Sequence, residues 1–63
     1  MDQEQIGAKI KALRLKHGYT QQQFANIVGV TYQAVSKWET GKSVPDIGTL
    51  HAICARFQVD LSE

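Results

Sequence analysis

Three residues constrain the centre of this chain more than any others. Counting from Gln21 in the stretch QQQFANIVGVTYQAVSKWET, Ala25, Gly29 and Val35 fall at the fifth, ninth and fifteenth places. Two helices joined by a very short turn cross closely. The first then needs a small side chain at the crossing, the turn needs a residue tolerant of positive φ, and the second helix needs an apolar anchor. Ala25, Gly29 and Val35 meet those demands in that order. Phe24, Val28 and Trp38 stand three or four places from other apolar positions, so each short helix is expected to bury one stripe and leave its other face wet.

With 63 residues, 43% of them hydrophobic, the chain has room for one small domain and no second core. A single cysteine permits no internal disulfide and no four-cysteine metal site. There is neither a basic-then-apolar leader nor an apolar run approaching the ~18 residues of a membrane span. A soluble protein of a reducing cytoplasm is the expectation, with no membrane partner. The net charge is only +1. Its distribution is more informative: Lys9, Lys11, Arg14, Lys16, Lys37 and Lys42 lie between Gln5 and Pro45, where the only acid is Glu39, whereas Asp2, Glu4, Asp46, Asp60 and Glu63 lie outside. A basic side can coexist with a nearly neutral total, although lysines also serve simply to keep a small helical protein soluble.

The chain reads as helical throughout. Ile6, Ile10, Leu13 and His17 recur at helical spacing and predict a first helix from about Gln3 to His17, ended by Gly18. Thr20 with Gln23 forms the capping box of a second helix that continues to Val28 and stops at Gly29. Thr31 caps a third, reaching about Thr40 and closed by Gly41. After a loop from Lys42 to Pro45, Asp46 caps a fourth, with a stripe of Ile47, Leu50, Ile53, Cys54 and Phe57. Asp60 to Glu63 reads as the capping box of a fifth helix that stops after one turn, too short to be worth nucleating. This predicts the N-terminal domain of a longer protein; the other reading is a minimal chain whose last turn packs Leu61 on the core.

On Leu13-Arg14, Gly18-Tyr19-Thr20-Gln21, Phe24-Ala25, Gly29-Val30, Trp38-Glu39, Gly41 and the apolar run Leu50, Ile53, Phe57 and Val59, the chain resembles the phage repressor and Cro (XRE-like) type of helix-turn-helix domain. The resemblance runs from about Ile6 to Leu61. It implies an all-α, lambda-repressor-like bundle of four to five short helices filling residues 1–63, with the helix-turn-helix at about 20–40. It also implies sequence-specific binding of double-stranded DNA, the third helix in the major groove, as the operator-reading part of a bacterial or phage-encoded transcriptional regulator. We expect a repressor acting as a homodimer on a pseudo-palindromic operator, paired through sequence outside or at the end of this domain. Gln58 departs from the pattern, standing where the family usually has a glycine.

If Val35 and Trp38 face inward, the outward positions at the start of the third helix are Thr31, Tyr32, Gln33, Ser36 and Lys37. The resemblance matches base contacts to Tyr32, Gln33, Ser36 and Lys37. Gln33 can pair bidentately with an adenine edge, Lys37 can donate to guanine O6 and N7, and Tyr32 can touch a thymine methyl or a phosphate. Polar residues on a short amphipathic helix are also what a plain solvent face looks like. Phosphate contacts are expected from helix starts and turns: Thr20, Gln21, Thr31, Thr40, Lys42 and Ser43, with Lys9 a weaker candidate. The resemblance makes Gln21 the foremost of these, and makes Arg14 and Glu39 a structural ion pair joining the first helix to the end of the third. Arg14 is a lesser phosphate candidate.

His51 and Cys54, three apart, with His17 as a distant third, are the only hint of metal ligation. Cys54 reads more simply as a small core residue, and no metal or cofactor is expected. No catalytic constellation is recognisable, so an enzyme is not expected. Leu15 reads as an exposed apolar residue or a small subunit contact. The rival function is a protein-interaction module, a bridging factor or antitoxin-like domain on the same fold, which should expose more apolar area on the third helix.

Overall fold

The computed structural model describes residues 3–61. Four helices follow one another, α1 (Gln3–Lys16), α2 (Gln21–Val28), α3 (Tyr32–Glu39) and α4 (Ile47–Phe57), with no strand among the described residues. Each of the last three starts on a side-chain cap. Thr20 Oγ1 accepts from the Gln23 amide at 3.0 Å while Gln23 Oε1 accepts from the Thr20 amide at 2.9 Å, closing the reciprocal box. Thr31 Oγ1 accepts from Ala34 at 3.2 Å and Asp46 Oδ1 from Thr49 at 2.7 Å. These bonds satisfy amides that the helices leave unpaired.

α2 and α3 pack against each other, and Ala25 of α2 is fully buried. Gly29 makes the turn between them at φ 87°, and the carbonyl of Ala25 accepts from both Gly29 and Val30 at 2.8 and 3.0 Å. A side chain at Gly29 would be strained in that conformation. α1 lies across α3, and α4 closes the bundle from the side of α2.

The core is built from one stripe per helix: Ile10 and Leu13 of α1, Phe24 and Ala25 of α2, Val35 and Trp38 of α3, and Ile53 of α4, sealed by Leu61. Phe57 stacks on Phe24 at 5.5 Å and meets the ring of His17 at 5.0 Å, so the C-terminal end of α4 is fastened to α2 and to the turn after α1.

Periodicity misassigned Ile47. Placed with the buried stripe of α4, it is 72% exposed. It is the first residue of the helix, and helical side chains lean toward the N-terminus, so its side chain projects off the end rather than over the core. Gln58 takes the left-handed conformation (φ 56°, ψ 48°) and caps the end of α4 in the place where the family usually has a glycine. Of the segment read as a fifth helix, Asp60 and Leu61 are non-helical and residues 62 and 63 lie outside the described residues.

Candidate nucleic-acid interface

α3 has two edges of opposite character. Val35 and Trp38 are buried, whereas Tyr32 is 47% exposed, Gln33 and Lys37 are exposed, and Ser36 is half-buried beside them. Tyr32, Gln33, Ser36 and Lys37 line one shallow, open groove of about 280 Å³ together with Thr40 and Lys42. The four residues read as base-facing thus form a continuous surface with two of those read as phosphate-facing. The groove offers amide donors and acceptors, hydroxyls, an aromatic ring and two ammonium groups, a set suited to polar base edges and anions.

Two of the phosphate candidates, Thr20 and Thr31, are the N-caps of α2 and α3. Thr20 and Thr31 are exposed, and each uses an oxygen lone pair for its cap, which leaves the hydroxyl hydrogen available to an outside acceptor. Thr40 is different. Its hydroxyl donates to the carbonyls of Ser36 at 2.9 Å and Lys37 at 3.3 Å, so its hydrogen is engaged in closing α3. The Lys42 and Ser43 amides also turn back to the Lys37 carbonyl at 2.9 and 3.3 Å, which holds that loop against the end of α3 and leaves the Lys42 side chain exposed. Lys9 lines a separate depression with Lys16, Val59 and Leu61 and is not part of the α3 groove.

Behind the groove, three helices converge on one carboxylate. Arg14 donates from Nε to Glu39 Oε2 at 2.7 Å and from Nη2 to Oε1 at 3.0 Å, a two-pronged ion pair whose side chains are 11% and 3% exposed. A third nitrogen, Nη1, donates to the Tyr19 carbonyl at 2.8 Å. The hydrogen bond to Glu39 raises the Arg14 pKa above its usual value against the opposing effect of burial. With all three nitrogens donating inward, Arg14 works inside the domain. Gln21 joins the same carboxylate, its Nε2 donating to Glu39 Oε1 at 3.3 Å. Sequence spacing gave no signal for this link, since the two residues are 18 apart and on different helices.

Gly7 also escaped the reading of the sequence. It is buried in α1 against the Trp38 carbonyl. An isolated glycine inside a helical pattern was the available clue. His51 is exposed and Cys54 half-buried against the core, and among the described residues no group of three His, Cys, Asp or Glu could hold a metal ion. No helix among them is long and apolar enough to cross a membrane.

The helix-turn-helix family model matches residues 10–63. The chain is 41% identical over 54 residues to the antitoxin PezA of Streptococcus pneumoniae, covering 86% of this chain and 34% of that protein. It is 43% identical over 45 residues to the SPbeta prophage-derived HTH-type transcriptional regulator YonR of Bacillus subtilis, covering 71% of this chain and 42% of that one. It therefore spans less than half the length of either relative. Among solved structures, the clp gene regulator ClgR of Corynebacterium glutamicum superposes with a TM-score of 0.82 over 95% of this chain and 64% of that one, at 22% identity, a likeness of fold.

Proposed function

The chain belongs to the helix-turn-helix family, and from that premise we propose that it reads double-stranded DNA with α3 in the major groove, as the operator-binding domain of a transcriptional regulator. The observation that carries this reading is the division of α3: Val35 and Trp38 are spent on the core, and the edge from Tyr32 to Lys37 is left uncovered, carrying the Gln33 amide, the Ser36 hydroxyl and the Lys37 ammonium beside the exposed Tyr32 ring. Gln33 and Lys37 read base edges, Tyr32 and Ser36 supplement them, and Thr20, Gln21, Thr31, Lys42 and Ser43 hold the backbone. Thr40 serves the same face by fixing the end of α3.

Of these backbone-holding groups only Lys42 is a cation, and one neutralised phosphate gives a slope of about −0.9 in log affinity against log salt, so one domain binds weakly. We therefore read the active form as a homodimer on a pseudo-palindrome with half-sites about 34 Å apart, acting in the cytoplasm as a repressor that excludes polymerase by occupancy. Leu61 is buried in this domain rather than offered to a partner, so the pairing surface we propose is not the Leu61 side chain.

The likeness to an antitoxin supports a second reading, in which the same fold docks on a protein. Gln33, Ser36 and Lys37 on the α3 edge favour DNA, since a protein-docking edge would carry more large apolar side chains than the single Tyr32. Mobility shift on a random duplex pool across a salt series, with sequencing of the retained fraction, separates the two. The DNA reading expects a salt-sensitive shift and an enriched sequence; retention without enrichment, or no retention at low salt, contradicts it.

A further inference from the structure

Glu39 is nearly enclosed, yet its carboxylate reaches the start of α2. Oε1 accepts from Arg14 Nη2 at 3.0 Å and from Gln21 Nε2 at 3.3 Å, while Oε2 accepts from Arg14 Nε at 2.7 Å. Gln21 is the first residue of α2, half-buried, beside amides that the helix itself leaves unpaired. A glutamine on a helix surface has freedom about several bonds and loses it on gripping a ligand. Here one N–H of the amide is already held by a charged acceptor that is itself clamped by a guanidinium. The second N–H stays available to an anion. Because Arg14 neutralises the carboxylate, a negative group can sit this near a phosphate without repelling it.

We propose that Glu39 is a positioning residue for DNA binding: it holds the Gln21 side-chain amide pre-aimed at a backbone phosphate, so the Arg14–Glu39 pair sets affinity as well as stability. The inference rests on the reading of Gln21 as a phosphate contact. Tyr19 takes part at one remove, since its carbonyl fixes Arg14 Nη1 and so the pitch of the guanidinium plane. The function gained is pre-organisation, in which a cost of ordering is met during folding rather than on binding.

The test is a double-mutant cycle on the full chain, with a fluorescein-labelled random-sequence duplex at low salt, well below the thermal midpoints and with folding followed by circular dichroism. Gln21→Ala should weaken binding about two- to tenfold, the range of a single hydrogen bond. Glu39→Gln should weaken it within the same range, and the double variant should bind no more weakly than Gln21→Ala alone. A merely structural Glu39 would weaken binding by the same factor in both backgrounds, which would overturn the inference and leave the phosphate reading standing. An unaffected Gln21→Ala would overturn both. Should Glu39→Gln fail to fold, side-chain ¹⁵N relaxation of the wild type decides: the Gln21 amide should be markedly more ordered than that of the exposed Gln33, and equal mobility of the two contradicts the inference.

Discussion

Gly7 of α1 lies directly against the carbonyl of Trp38 at the end of α3, so close that a Cβ built on the glycine would overlap the carbonyl oxygen. The two helices meet there backbone to backbone. The same end of α3 carries Glu39, so this contact also sets where Arg14 finds its partner.

Gly7→Ala should therefore destabilise the domain, although alanine is the better helix former by about 1 kcal/mol. Overpacking costs about 1 to 3 kcal/mol and occasionally more, and a Cβ set this deep into a backbone carbonyl belongs at the upper end, so the net loss expected is about 2 kcal/mol. Thermal unfolding followed at 222 nm measures it. An unchanged or higher midpoint would mean that α1 can move away from Trp38 at no cost.

Removing Glu39 should be more damaging. Glu39→Ala leaves the Arg14 guanidinium with little access to water and without its carboxylate partner, a loss of about 3 kcal/mol for a pair this enclosed. For a domain of this size that lowers the midpoint by more than about 10 °C. A midpoint within a degree of the wild type would show the pair to be a surface contact.

Gln58→Gly tests the opposite direction. Gln58 holds φ at 56°, a conformation that glycine enters without penalty from a Cβ. The variant should gain about 0.5 to 1 kcal/mol in urea denaturation with an unchanged m-value. A loss of stability would indicate that the glutamine side chain makes a compensating contact.

The cap of α4 should give the domain an acid-sensitive component. The Thr49 amide and side chain hydrogen-bond to the Asp46 carboxylate and lower its pKa in the folded state. The cap's contribution is thus present above the unfolded value of about 3.9 and is lost as the pH falls through the lower native value. Asp46→Ala should melt below the wild type at neutral pH, and the gap should close in acid. A gap independent of pH would rule out the charged cap.

The local grammar of the fold was legible because it is written in short-range chemistry. Thr20 with Gln23, Thr31 and Asp46 each declare a helix start through a bond spanning three residues, and Gly29 declares a turn through its conformation. The outward edge of α3 was legible for the same reason, since the buried positions Val35 and Trp38 fix the opposite face. Ile47 was misread because periodicity carries no information on where a helix begins relative to the core. The Gln21–Glu39 bond and the Gly7–Trp38 contact depend on how α1 and α2 meet α3 in space, and neither has a spacing rule.

The central claim is that the Tyr32–Lys37 edge of α3 faces bases, and operator selection by Gln33→Ala tests it most directly. Sequences selected from a random duplex pool by the wild type and by the variant should differ at one position per half-site. There, the variant should lose about 1 to 3 kcal/mol of discrimination while its affinity for unselected DNA is little changed. An identical selected sequence with undiminished discrimination would mean that α3 does not read the groove as described.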